Sequence, residues 1–125
     1  MGERPELNGI IVVDKPVDIS SARVVSIVKN TLLAKKVGHA GTLDPFAEGV
    51  LICCVNQATR LANFLLHGTK KYIAELKLGE ETDTQDLTGT VISSSEPKNS
   101  STETIQKIFK AFEGPLEQLP PVYSA

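Results

Sequence analysis

One stretch of the chain concentrates side chains that can do chemistry. Residues 38–49 read Gly-His-Ala-Gly-Thr-Leu-Asp-Pro-Phe-Ala-Glu-Gly and set the carboxylate of Asp44, the imidazole of His39 and the hydroxyl of Thr42 among three glycines. Glycine lets the backbone approach a ligand closely or take a positive φ. Pro45 fixes its own φ and biases Asp44 toward an extended conformation. A carboxylate held in such a loop has three readings. It can be a nucleophile, a general base, or the cap of a tight turn, as Asp before Pro often is.

The loop needs elements on either side to hold it. Gly9–Asp14 is rich in β-branched residues and predicts a short buried strand, ended by Lys15-Pro16 because proline cannot donate to a ladder. Ser20 or Ser21 is a good N-cap, and Val24, Val25, Ile27, Val28 and Leu32 follow at helical spacing, which predicts a helix over about 21–32. Three glycines and a proline exclude a regular helix or a central strand over 38–49. Val50–Val55 is apolar on both faces and predicts a central strand. Residues 58–66 look helical, with Leu61, Ala62, Leu65 and Leu66 on one side.

Beyond that point, residues 71–78 alternate, Tyr72, Ala74, Leu76 and Leu78 against Lys71, Ile73, Glu75 and Lys77, which predicts a half-buried strand. A polar loop over 79–89 and a short strand over 90–94 come next, then a loop over 95–101. Ser100 and Glu103 have capping-box spacing ahead of a helix over about 102–112, with Ile105, Ile108, Phe109 and Phe112 on one face and Gly114 as its stop. Residues 120–125 are expected to be extended. The fold class is α+β, with a mixed, largely antiparallel sheet and flanking helices.

Composition narrows the function classes. At 125 residues the chain fits one domain, and 41% apolar with 22% charged residues is ordinary for a globular protein. No targeting signal is visible, and the apolar run Val50–Val55 is far short of the roughly 20 residues a membrane helix needs. A soluble cytoplasmic protein is expected. Cys53 and Cys54 are the two cysteines; as neighbours in a strand they point to opposite faces, so they read as small buried residues in a reducing compartment rather than as a disulfide or a metal site. Residues 1–77 hold ten Lys and Arg against seven Asp and Glu, net +3, and residues 78–125 hold three against eight, net −5. A nucleic-acid surface would therefore draw on Lys15, Lys35, Lys36, Arg60, Lys70 and Lys71; the plainer reading is solvated faces.

Six ordered motifs carry a family resemblance over nearly the whole chain. Val37 to Leu51, with Gly-His-Ala-Gly-Thr-Leu-Asp-Pro inside it, resembles the signature of the TruB family of tRNA pseudouridine synthases. Gly9-Ile-Ile-Val-Val-Asp-Lys-Pro16 with Ser20-Ser21 resembles the family's N-terminal strand and Lys-Pro turn, and Ala58-Thr-Arg60 the segment after its central strand. Lys70-Lys-Tyr-Ile-Ala74 resembles the strand that bears an active-site tyrosine, and Gly79–Gly89 the family's Thr-Asp-Thr loop. Pro120–Ala125 resembles the lead into the second half of the family's domain.

The resemblance implies roles residue by residue. Asp44 matches the essential catalytic aspartate, and Tyr72 the tyrosine that stacks on the flipped uracil. His39 matches the histidine that helps displace and hold the target nucleotide. Lys15, with Pro16, matches a pair that supports the catalytic loop. Asp86 matches an acidic residue near the flipped nucleotides, and Thr42 joins the substrate-binding set through the signature. The plainer readings are a loop histidine for His39, core packing for Tyr72, packing or turn structure for Tyr123, and turn caps for Asp83 and Asp86.

The implied activity is isomerisation of a T-loop uridine, position 55, to pseudouridine on tRNA, with the T-stem-loop as partner and no cofactor, metal or membrane. The resemblance further implies that residues 1–125 are the N-terminal part of a catalytic domain. Its second half would supply more sheet and an arginine that pairs with the aspartate, and its absence would expose a sheet edge and apolar faces. The alternatives are a non-catalytic RNA-binding or interaction fragment of the same fold, or a hydrolase with a lone aspartate. The guide-RNA-dependent dyskerin-like branch shares the fold, but Phe46-Ala-Glu-Gly49 looks more like the bacterial tRNA type.

Overall fold

The computed structural model describes residues 6–97 and 100–121. The chain divides into two compact units, Met1–Tyr72 and Ile73–Ala125.

In the first unit, strands β1 (Gly9–Lys15), β2 (Val37–His39) and β3 (Gly49–Val55) form one sheet of order β1-β3-β2, and both neighbours run antiparallel to β3. The expected central strand is thus central. Ile11 and His39 both lie opposite Cys53, and Val13 lies opposite Leu51. Helix α1 (Ser21–Leu32) covers one face, and Val24, Leu51 and Cys53 make the core with Ile11, Val13, Ile19, Val25, Val28 and Val37 packed around them. Full burial of one such aliphatic side chain contributes about 1.5–3 kcal/mol. Cys53 and Cys54 are both free and fully buried. Val50, at the start of β3, is 69% exposed because it lies on the sheet face away from the core, as does Val12 on β1, 65% exposed.

Helix α1 begins as its sequence dictates. Ser20 is extended and its side chain accepts from the Arg23 N–H at 3.2 Å. It ends in a Schellman arrangement, with Leu33 N–H on the Asn30 carbonyl and Ala34 N–H on that of Lys29. The expected helix over 58–66 is different. A 3-10 helix, Asn56–Leu61, comes first and α2 is confined to Ala62–Leu66. The Thr59 hydroxyl donates to the Asn56 carbonyl at 2.9 Å, which ties off the first turn at i+3 spacing.

In the second unit, β4 (Glu80–Thr82) and β5 (Val91–Ser94) form an antiparallel hairpin, so part of the expected polar loop is strand. Helix α3 (Thr102–Ala111) is present, but its cap is Ser101 rather than Ser100: the Ser101 hydroxyl accepts from Thr104 N–H at 3.3 Å. A hydrogen bond with Ser101 also holds the Glu103 carboxyl below the usual carboxylate range. No described residue of α3 is buried, and Gly114, at φ +94°, follows its end.

The half-buried strand expected over 71–78 does not form. These residues are irregular and exposed, and they pair with no strand among the described residues. Alternation marks the two faces a strand would have, but a strand exists only where a neighbour takes up its N–H and C=O groups. The extended segment expected over 120–125 lies, from Val122 and Tyr123 on, outside the described residues. No helix of the described residues is long and apolar enough to cross a membrane.

Candidate active site

Between β2 and β3 the chain loops out and back, and the described residues tie it down at several points. Ala40 N–H donates to the Ile52 carbonyl at 2.9 Å, which extends the β2–β3 pairing by one bond. The hydroxyl of Ser21 meets Leu43 twice: it accepts from the Leu43 N–H at 2.9 Å and donates to the Leu43 carbonyl at 3.0 Å. The Pro45 carbonyl accepts from the Asp18 N–H at 2.8 Å and from the Lys15 ammonium at 3.2 Å. Asp44 therefore sits between two residues whose backbone groups are held by other elements.

Lys15 is fully buried, and its ammonium also donates to the carbonyls of Pro16 and Ile19, both at 2.8 Å. An ammonium has three hydrogens, and all three are used. Burying a charge is costly unless it is fully hydrogen-bonded, and here it is. The basic surface expected from sequence thus loses Lys15, whose charge faces inward to the loop.

Asp44 itself is exposed, and its carbonyl accepts from Ala47 N–H at 3.0 Å across a turn with Pro45 in second place. Among the described residues the Asp44 carboxylate has no hydrogen-bond or ion-pair partner, so its side chain does not cap that turn. The group is left for chemistry in solvent or with a ligand. Thr42 is exposed on the same loop.

His39 ends β2 and is half-buried, with Nδ1 at 2.5 Å from the Gly41 carbonyl. A carbonyl only accepts, so Nδ1 carries the hydrogen and Nε2 is left to meet another group. Gly41 is at φ +110°, a backbone conformation costly for any residue with a Cβ. Lys70 crosses nearby: its ammonium donates to the carbonyls of Leu66 and Gly68, and its Cε lies 3.7 Å from where a Gly41 Cβ would stand. Two residues on, Tyr72 is 66% exposed, so its ring offers an open face.

The structure thus gathers Lys15, His39, Thr42 and Asp44 on or under one loop. Tyr72 stands outside that loop, on the irregular segment after Lys70. Asp86 belongs to the second unit, where its carboxylate organises its own turn. Its Oδ1 accepts from Thr84 Oγ1 and Thr88 N–H, both at 2.8 Å, and from Thr88 Oγ1 at 2.6 Å.

Lys35, Lys36 and Arg60 line one open cavity of about 240 Å³, with Glu6, Asn56, Gln57 and Thr59. Asn56 shapes this region from a left-handed conformation, φ 52°. Its amide donates to the Leu7 carbonyl at 2.7 Å and accepts from Lys36 N–H at 3.0 Å. Lys35 makes a 3.5 Å ion pair with Glu6 at the surface. Among the described residues no three His, Cys, Asp or Glu side chains gather as a metal site. Ser21, Asp18 and Asn56 carry no chemistry signal in the sequence. The Ser20-Ser21 doublet was the single hint, because one helix end needs only one of the two hydroxyls.

The family model described as TruB family pseudouridylate synthase, N-terminal domain, matches residues 29–125. The chain belongs to the TruB family. Curated relatives agree with that membership. The chain is 43% identical over 121 residues to tRNA pseudouridine synthase B of Bordetella avium, a match covering 95% of this chain and 50% of the relative. It is 49% identical over 119 residues to the protein of the same name from Alkaliphilus oremlandii, covering 95% and 40%. For Francisella tularensis the values are 45% over 123 residues, covering 98% and 41%. The chain thus spans 40–50% of the length of these TruB relatives. Among solved structures, a chain of a Cbf5-Nop10-Gar1 complex superposes with a TM-score of 0.61 at 30% identity, over 94% of this chain and 30% of that one.

Proposed function

We propose that this chain carries the catalytic-aspartate part of a tRNA pseudouridine synthase, acting on the uridine at position 55 of the T-loop, in the cytoplasm. The observation that carries the reading is Asp44, an exposed carboxylate without a partner among the described residues, on a loop held at both of its flanking residues. Membership of the TruB family supports the substrate class.

The chemistry suits these groups. The N1–C1′ bond of the uridine breaks, the uracil turns, and a C5–C1′ bond forms. The proton lost from C5 is balanced by one gained at N1, so no oxidant or reductant enters. Flipping the base out of its stack costs a few kcal/mol, and stacking on the open ring of Tyr72 returns about 1–3 kcal/mol. His39 Nε2 holds the displaced nucleotide, and Asp44 acts on the sugar or the base, as nucleophile or as base. Lys35, Lys36, Arg60, Lys70 and Lys71 supply charge for the phosphates of the tRNA.

Tritium released from T-arm RNA labelled at C5 of the target uridine reads this reaction directly. Asp44→Asn keeps the shape of the side chain and removes its charge. With the rest of the catalytic domain supplied, release that depends on Asp44 supports the proposal, whereas RNA binding without Asp44-dependent release refutes it in favour of a binding module.

A further inference from the structure

We infer that Ser21 is a positioning residue for Asp44, acting through the backbone of Leu43. This rests on the reading of Asp44 as the working carboxylate and adds a residue from outside the loop.

Ser21 is the first residue of α1, and the helix does not need its hydroxyl, because Ser20 already caps it. Ser21 is 3% exposed, and its spare hydroxyl is spent wholly on Leu43, on both its N–H and its carbonyl. One atom that bonds both backbone groups of a single residue fixes the two peptide planes on either side of it. The second of those planes runs into Asp44. Leu43 has no other backbone hydrogen bond among the described residues, so this contact is what sets its conformation. The anchor is rigid: Val24, one turn along α1, is a core residue at 3% exposure.

The other flank of Asp44 is held independently, at Pro45, by Asp18 and Lys15. A carboxylate whose head meets no protein partner swings only through its χ1 and χ2 rotamers, about a Cα–Cβ direction that the backbone sets. Removing the Ser21 hydroxyl leaves Asp44 held at only one of its two flanking residues. RNA affinity, which comes from basic side chains elsewhere, is expected to survive. The fraction of bound complexes with the carboxylate in reach of the target is expected to fall.

The test uses amide hydrogen exchange on this chain, and turnover on this chain joined to the C-terminal segment of the Alkaliphilus oremlandii relative beyond the matched region, in wild type, Ser21→Ala, Ser21→Thr and Ser21→Val. Thr and Val share a shape and differ only in the hydroxyl, so their comparison cancels any packing effect. In the wild type and Ser21→Thr the Leu43 amide should exchange at least about tenfold slower than an open loop amide. In Ser21→Ala and Ser21→Val it should exchange at the open rate, while the Ile11–Cys53 ladder keeps its protection. On T-arm RNA, the Ala and Val variants should lose about tenfold or more in kcat with KM within about twofold, and Thr should restore it.

An unprotected Leu43 amide in the wild type overturns the inference, and that measurement needs no variant to fold. Protection that survives in Ser21→Val overturns it too, as does equal kcat in the Thr and Val variants. If the joined chain shows no Asp44-dependent turnover, it is the function reading that fails, and the exchange arm alone decides whether Ser21 holds the loop.

Discussion

The ammonium of Lys15 donates to the carbonyl of Pro45, 30 residues away in sequence and directly after Asp44, at 3.2 Å. The bond joins the last residue of β1 to the turn that presents the carboxylate, and it does so from a fully buried position. Lys15 is thus a buried cation with a scaffolding task. Its chemistry reaches Asp44 only through backbone.

This gives a stability prediction. In Lys15→Met the stem is kept and the carbonyls of Pro16, Ile19 and Pro45 lose a donor. Loss of about 2–4 kcal/mol is expected, since each buried group left unpaired costs about 1–3 kcal/mol and water reaches some of them. Urea denaturation of the variant measures it. An unchanged midpoint would mean that the ammonium does not tie these groups.

Leu33 offers the opposite sign. It closes α1 at φ 52° and is 74% exposed, so its side chain gives little burial in return for a left-handed backbone. Leu33→Gly removes a strain of about 1–2 kcal/mol, partly offset by the greater freedom of glycine when unfolded. A net gain of about 0.5–1 kcal/mol is expected in denaturant melts.

Gly41→Ala should damage both stability and the site. At φ +110° an alanine costs about 1–3 kcal/mol, and relief of that strain moves the carbonyl that holds His39 Nδ1. Denaturation measures the first effect, and turnover on T-arm RNA the second. A variant of wild-type stability and activity would show that the glycine is not needed there.

The paired cysteines set an alkaline limit. Burial, and then the neighbouring Cys54, raise the pKa of Cys53, and burial raises that of Cys54. Below the ordinary thiol pKa, about 8.5, both states are protonated and the thiols cost nothing. Above it the unfolded chain loses protons that the folded chain retains, so stability falls as pH rises toward the folded values. Melting curves from pH 7 to 10 should show this decline, and Cys53→Ala should flatten it.

These particulars show what was legible in the sequence. Helix α1 was, because apolar spacing and a serine cap are local signals. So was the central place of β3, a run apolar on both faces, although the face away from the core is left partly open at Val50 and, on β1, at Ile10 and Val12. The region after Lys70 was not: Tyr72 to Leu78 alternates as a strand does, yet strand formation depends on a distant partner that alternation does not name. The chemistry of the Gly38–Gly49 loop was visible in residue types, whereas its supports were not. Nothing in the sequence tells that Ser21 reaches Leu43 or that Lys15 turns inward, since both depend on contacts 22 and 30 residues away.

The most direct test of the central claim is tritium release from T-arm RNA labelled at C5 of the uridine at position 55. The enzyme is this chain joined to the C-terminal segment of the Alkaliphilus oremlandii relative that lies beyond the matched region, with and without Asp44→Asn. Release by the joined protein is expected, with a loss of at least about a thousandfold in the variant, the scale seen when a covalent or acid–base group is removed. Equal release by both, or none from a joined protein that melts cooperatively and binds the RNA, would contradict it.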